Sequence, residues 1–407
     1  MDKVLIVGEN PYNGTGNGNM LASIIGKLDT TKYDPTLFLI DKTDINLIKS
    51  VKQLNEFPTI TANEHEFVNI WGHSRLVQLI NKHEFDSILF IGLDVWRYHE
   101  IMDHLIDSIK LKKMKWYSLI PYDLPYIRRD WLQWINQIQF PFVYSEFGYN
   151  LLKPHVPHLQ FFRPEPYLYT IFDYYNQKQE IRDLMFGNQM KEDTILFGFI
   201  GANQLRKNIG NIVKGFHLLI NEIPNINTVL YMHTEDKVVW DIDALRKSYN
   251  IPKNRLLVKP KNKHLKQDEV PMLYNMCDCM VNPTIQEGLS WTVIESLLCG
   301  TSVIISDSTA HKDYIQTEQD FLISLQPTAT NFLHLMTEDG PRLIESEKAV
   351  EPEAIAEGMK LYIEVLHSKN MIDNNKQSAS RWMNKCSNIN KILECTDTKQ
   401  EEKGVFI

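Results

Sequence analysis

The chain has 407 residues, 43% of them hydrophobic, 23% charged and 11% aromatic, a composition that excludes disordered, fibrous and disulfide-dense classes and suits two α/β domains. The formal net charge of −8 lacks the cationic surplus that displaces counterions from a polyanion, so no nucleic-acid partner is expected. Five cysteines, Cys277, Cys279, Cys299, Cys386 and Cys395, are an odd number crowded into the last third. They read as reduced small hydrophobes, and Cys277 and Cys279 lack the second pair a zinc site needs.

The first residues, MDKVLIVGENPYNGTG, carry no long apolar leader, and no later stretch holds the eighteen or so apolar residues of a span, so a cytoplasmic protein without a transmembrane segment is expected. Residues 3–8 (KVLIVG) form an apolar run that stops at Gly8, as a buried parallel strand does. A loop with Gly14, Gly16 and Gly18 follows, then the helical spacing of MLASIIGKL. Glycines at every second position do not make the G-x-G-x-x-G dinucleotide fingerprint, but they let main-chain N–H groups approach a phosphate or sugar. Further apolar runs at 36–40, 87–92, 115–120 and 142–145, with an amphipathic stretch at 99–112, predict a parallel sheet covered by helices. Asp94 falls just past the run at 87–92, and Tyr122 and Asp123 just past that at 115–120. Each stands where open α/β sheets place ligands, and either aspartate could position an acceptor hydroxyl or bind a sugar hydroxyl, or simply cap a helix.

Four prolines between 154 and 166 and the polar stretch to 192 suit an interdomain connection. The alternation then restarts. Runs at 195–201, 228–233, 255–259, 279–282 and 302–306 predict a second parallel sheet, with helices over NIVKGFHLLINEI and WDIDALRKSY. The expected organisation is a first domain over 1–165, a connection over 166–192, a second domain over 193–372, and a C-terminal helix and polar tail over 373–407. The helical stretch ASRWMNKCSNINKILE is expected to cross back onto the first domain.

Two clusters in the second domain could carry chemistry. Arg206 and Lys207 follow its first strand and pair a bidentate fork with a compact cation, suited to a diphosphate; alone, they read as an exposed basic pair. Glu287 stands at the mouth of the helix WTVIESLLCG, and Glu295 lies eight residues on, about 12 Å of helical rise. Both carboxylates could thus address one elongated ligand, while N–H groups of Gly288, Leu289 and Ser290 meet an anion at the helix start. Glu295 sits between Ile294 and Leu297, an apolar setting unlike a solvated face. Asp241 and Asp243 imitate a metal-binding D-x-D but open a predicted helix, where acids favour the first turn. His155 and His158 flank Pro157 as loop histidines.

Together these segments resemble GT-B glycosyltransferases of family 4, most strongly over 195–316. GANQLRKN is similar to the family's donor-phosphate segment and Glu287 to Glu295 to its E-x7-E motif, with CGTSVIISD following. In the first domain, Thr15-Gly16-Asn17-Gly18 resembles the glycine loop and SEFGYNLL the S-x-x-G junction. The resemblance implies two Rossmann-like domains with an interdomain cleft and a donor held mainly by the second. It implies Arg206 and Lys207 on the diphosphate, Glu295 on the ribose, and Glu287 on the transferred sugar, with Glu287 and Asp94 as catalytic candidates and Gly16 on the donor. Tyr122 and Asp123 are acceptor-side candidates. A retaining, metal-independent transfer follows by the same likeness, from a UDP- or GDP-sugar to a glycan, glycoprotein or lipid-linked acceptor, with no cofactor beyond the donor. Three departures stand out. Ala202 follows Gly201 where many members have G-R, Asp94 stands near the strand end that often carries a histidine, and FFRPEPYLYTIF replaces the usual interdomain segment. The competing readings are an epimerase or phosphorylase of the same architecture and a protein that binds a nucleotide sugar or glycan without turnover.

Overall fold

The computed structural model describes residues 1–11, 15–40, 57–62, 71–92, 98, 101–166, 177–187, 190–259, 269–314, 322–328, 332–337, 340–345, 348–366 and 371–395. The chain divides into two compact units, one of Met1–Tyr122, Tyr126–Tyr167 and Lys385–Ile407, the other of Asp123–Pro125 and Leu168–Asn384.

In the first unit, strands β1 (Asp2–Gly8), β2 (Tyr33–Leu39), β3 (Thr59–Thr61), β4 (Ser87–Ile91), β5 (Lys115–Ile120), β6 (Phe140–Val143) and β7 (Gln160–Phe161) form one sheet ordered β3-β2-β1-β4-β5-β6-β7. Every pair is parallel, so the strands need apolar side chains on both faces, and β4 is buried at all five positions. Helices α1 (Gly16–Ile25), α2 (His73–Lys82), α3 (Met102–Leu111), α4 (Arg129–Ile135) and α5 (Glu146–Leu152) supply the crossovers. Thr15 caps α1 by accepting from the Gly18 amide at 3.0 Å, and Ser145 caps α5 by accepting from the Gly148 amide at 3.1 Å.

The second unit repeats the plan with β8 (Ile195–Ile200), β9 (Thr228–His233), β10 (Leu256–Lys259), β11 (Cys279–Asn282), β12 (Ser302–Ser306) and β13 (Leu322–Leu325), ordered β10-β9-β8-β11-β12-β13. These pairs too are parallel. Its helices are α6 (Lys178–Phe186), α7 (Ile209–Glu222), α8 (Ile242–Ser248), α9 (Val270–Met276), α10 (Trp291–Leu298), α11 (Pro352–Val365) and α12 (Met371–Met383). Phe197, Phe199, Phe216, Leu230, Val281, Ile304 and Met359 lie in its core. An antiparallel pair, Phe332–Thr337 with Gly340–Glu345, is an addition the βα alternation does not announce. In both sheets the strand order reverses beside the first strand, between β1 and β4 and between β8 and β11, which makes each reversal a switch point where ligands bind.

Two expectations about connections change. Helix α6 falls within the stretch 166–192, yet it packs in the second unit: buried Arg182 donates to the carbonyls of Met276 at 2.8 Å and Thr194 at 3.1 Å and pairs with Asp278 at 2.6 Å. The helical stretch 379–394 is not one helix. It belongs partly to α12 and partly to a short helix α13 (Asn390–Leu393), because between them the Ser387 amide pairs with the Arg163 carbonyl at 2.8 Å. Residues 385–395 pack with the first unit, where Asn390 accepts from the Asp29 amide at 2.9 Å and Tyr117 donates to the Leu393 carbonyl at 3.2 Å.

Candidate functional site

The loops leaving β8 and β11 meet at the second switch point. After β8, Gly201–Gln204 leads into a single turn, Leu205–Lys207, and Asn208 takes a left-handed conformation (φ 58°) before α7. After β11, Pro283–Ser290 leads into α10, with Ser290 also left-handed (φ 65°). The main chains are stitched together: the Arg206 carbonyl accepts from the Ile285 amide at 2.7 Å and from the Thr284 hydroxyl at 2.9 Å. The Arg206 guanidinium donates to the Gln286 carbonyl at 2.9 Å.

This stitching brings Arg206, Lys207 and Glu287 into one group. Arg206 pairs with one Glu287 carboxylate oxygen at 3.0 Å and Lys207 Nζ with the other. Lys207 and Glu287 are buried, whereas Arg206 keeps about a third of its side chain exposed. Burial would raise the Glu287 pKa, but the Arg206 and Lys207 charges outweigh it and hold the carboxyl down at about 2. A permanently charged carboxylate thus lies against two cations, with Arg206 reaching solvent.

Glu295 does not join this group. On α10 it accepts from the Tyr274 hydroxyl of α9 at 2.5 Å, and burial pushes its pKa up to about 7 despite that bond. Lys207 and Glu295 therefore have buried environments rather than the solvent-reached ones that a ligand cleft suggests, because each meets a partner from another element. Gly288 is half-buried, and Leu289 and Ser290 are buried. Ser290 makes no side-chain cap to α10, so the start of that helix is not closed by its own hydroxyl.

Sequence reasoning did not single out His311, which is fully buried in the 3₁₀ turn Thr309–Asp313 beyond β12. Its ring lies 3.0 Å from Ser290 Oγ and 3.2 Å from Ser306 Oγ. Burial lowers its pKa to about 4 even though Glu287 pulls it upward, so the imidazole is neutral near pH 7. Thr309, left-handed at φ 41°, accepts from the Glu287 amide at 2.9 Å. A histidine and hydroxyl residues packed into SDSTAH at a strand end were the available signal.

In the first unit, Gly16 opens α1 and is not a free glycine loop. Tyr122 is fully buried; its hydroxyl donates to the Tyr126 carbonyl at 2.9 Å and accepts from the Arg128 amide at 3.2 Å, which gives it a loop-bracing role. Asp94 lies outside the described residues. Asp123 groups with the second unit; desolvation raises its pKa, while the Arg206 charge opposes the rise. Asp241 caps α8 by accepting from the Ala244 amide at 2.9 Å, and Asp243 pairs with Arg246 at 2.8 Å. His158 contacts the Ile138 carbonyl at 2.9 Å. Among the described residues no group of three or more His, Cys, Asp or Glu could hold a metal ion, and no helix is long and apolar enough to cross a membrane.

Residues 180–338 match the family model described as glycosyl transferases group 1. A stretch of 151 residues, 37% of this chain, is 24% identical to the serotype-specific mannosyltransferase WbdA of Escherichia coli, of which it spans 18%. Among solved structures, HepE of Anabaena in complex with UDP and glucose superimposes with a TM-score of 0.69 at 11% identity, covering 97% of this chain and 98% of that one. Sucrose-phosphate synthase from Thermosynechococcus elongatus gives 0.69 at 12% identity, covering 97% of each. Two parallel sheets flanked by helices, shared along nearly the whole chain, make the fold GT-B.

Proposed function

From a glycosyl transferases group 1 segment over residues 180–338 within a GT-B fold, we propose that this protein is a retaining glycosyltransferase that moves a sugar from a nucleotide-diphosphate sugar to a hydroxyl acceptor. The observation that carries this reading is the convergence of Arg206 and Lys207 with the Glu287–Ser290 loop at the β8/β11 switch point. A bound diphosphate would offer Arg206 a bidentate partner and Lys207 a second anion, and the start of α10 would add its dipole. Those charges would stabilise the leaving nucleoside diphosphate as the glycosidic bond to phosphate breaks, the task a metal ion performs elsewhere. Glu287, freed in part from its cations, could then accept from hydroxyls of the transferred sugar. Glu295 could accept from the ribose, provided its proton leaves and Tyr274 yields.

The relatives suggest the donor class: HepE is described with UDP, and WbdA is a mannosyltransferase. UDP- and GDP-sugars are therefore the first donors to test, and a glycan, glycoprotein or lipid-linked hydroxyl the acceptor class. Calorimetry with UDP and GDP on the wild type and Lys207→Ala checks the site. Affinity should fall at least tenfold in the variant, the factor for about 1.4 kcal/mol. Unaltered affinity would remove Lys207 from the diphosphate. Turnover should persist in EDTA and release free nucleotide only with an acceptor; a product in which the sugar is merely inverted while still linked to nucleotide would identify an epimerase.

A further inference from the structure

We propose that His311 is a positioning residue for the donor-facing loop: its imidazole ties the strand-end turn after β12 to Ser290 and so fixes the main chain that runs from Glu287 into α10. This rests on the nucleotide-binding reading above for its purpose, but not for its geometry.

The hydrogen bonds have one consistent direction. Ser306 has a single hydroxyl proton, which it donates to the Thr284 carbonyl. Its oxygen must then accept from His311, which places the ring proton on Nδ1 and leaves Nε2 as an acceptor. Ser290 accordingly donates to Nε2 at 3.0 Å, while its own oxygen accepts from Asn282 Nδ2 at 3.2 Å. The relay runs from Asn282 on β11 through Ser290 and His311 to Ser306 on β12 and ends on Thr284 in the loop between them. Two parallel ties hold the same loop: Thr309 accepts from the Glu287 amide, and Tyr314 donates to the Leu289 carbonyl at 2.5 Å.

Two features argue that this costly arrangement serves a site. Five described non-glycine residues have positive φ, and three of them, Asn208, Ser290 and Thr309, border the Arg206–Lys207–Glu287 group. Such conformations persist only where surrounding contacts over-determine them, and they gather at ligand sites. An aliphatic side chain at 311 would also fill the core without burying a polar ring, so the imidazole's contribution lies in its two hydrogen bonds. Holding Ser290 by its hydroxyl further explains why that residue does not cap α10.

The test compares wild type, His311→Leu, His311→Gln, Ser290→Ala and the His311→Leu/Ser290→Ala double variant, using UDP and GDP affinity by calorimetry and hydrogen exchange of residues 287–290. Leucine fills the space without hydrogen bonds, whereas glutamine offers one donor and one acceptor. The expected result is about tenfold weaker nucleotide binding and faster exchange in His311→Leu, recovery to within about threefold in His311→Gln, and no further loss in the double variant. Equal losses in the leucine and glutamine variants would mean that ring size matters and not hydrogen bonding, and would overturn the proposal. So would wild-type affinity in His311→Leu, or weakened binding without altered exchange. If His311→Leu does not fold, Ser290→Ala breaks the same link and is judged by the same two readouts. A wild type that binds neither nucleotide would defeat the donor reading, and exchange alone would then decide whether His311 positions the loop.

Discussion

Glu287 and Glu295 are the same side chain on the same segment, yet their surroundings drive them in opposite directions. Glu287 gains two cations and is held at about 2, below the ordinary 4.5. The stability it contributes is fully present above pH 4.5 and is lost as pH falls toward 2. Glu295 is raised to about 7 by burial, so its favourable contribution is full below pH 4.5 and is lost as pH rises through 7. Denaturant melts from pH 5 to 8 should therefore show a loss that Glu295→Gln reduces, by about 3 kcal/mol at the upper end. A pH dependence unchanged by that substitution would contradict the buried, weakly compensated carboxyl. Glu287→Gln leaves Lys207 buried beside a neutral group and should cost about 3 kcal/mol at pH 7, read from the same melts. The E-x7-E spacing was legible as two acids on one segment. Their opposite ionisation was not, because it depends on Arg206, Lys207 and Tyr274, which lie on other elements.

At the scale of elements, the buried parallel strands were the most legible part of the chain. Runs such as 115–120 and 228–233 coincide with β5 and β9, since a strand covered on both faces must be continuously apolar. Short edge strands such as β3 and β7 lack such runs and exist by pairing with a neighbour. The segment Thr15-Gly16-Asn17-Gly18 reads as a ligand loop but forms a capped helix start. Gly18 is required there by crowding: a Cβ would lie 2.7 Å from the Asn10 carbonyl oxygen. Gly18→Ala should cost about 1–3 kcal/mol in chemical denaturation, whereas a loop merely open to a ligand would tolerate the methyl. Helix α6, polar in composition, reads as connection because its anchor, Arg182, gains its meaning only from Asp278 and two distant carbonyls.

At the scale of the whole molecule, the chain returns to the first unit after α12. Ile392 and Leu393 are buried, Lys32 pairs with Glu394 at 3.0 Å, and Asn390 holds the Asp29 amide. Truncation after Asn384 should expose the surface these residues cover and lower the melting temperature of the first unit by several degrees, with the second less affected. Scanning calorimetry reads this as a shift in one transition; an unchanged profile would mean that the segment contributes no stability.

By itself the sequence determined the repeated βα alternation, the two-sheet architecture, and the placement of Arg206, Lys207 and Glu287 at strand ends, because each follows from local periodicity and from where parallel strands stop. Only the tertiary structure decided which of these groups meet. The reversal of strand order beside β8 sets its loop against that of β11, closes the two cations on Glu287, turns Glu295 toward Tyr274, and carries His311 beneath Ser290. Those contacts join residues twenty to eighty positions apart, and side chains that distant acquire their chemistry from packing, which no local pattern encodes.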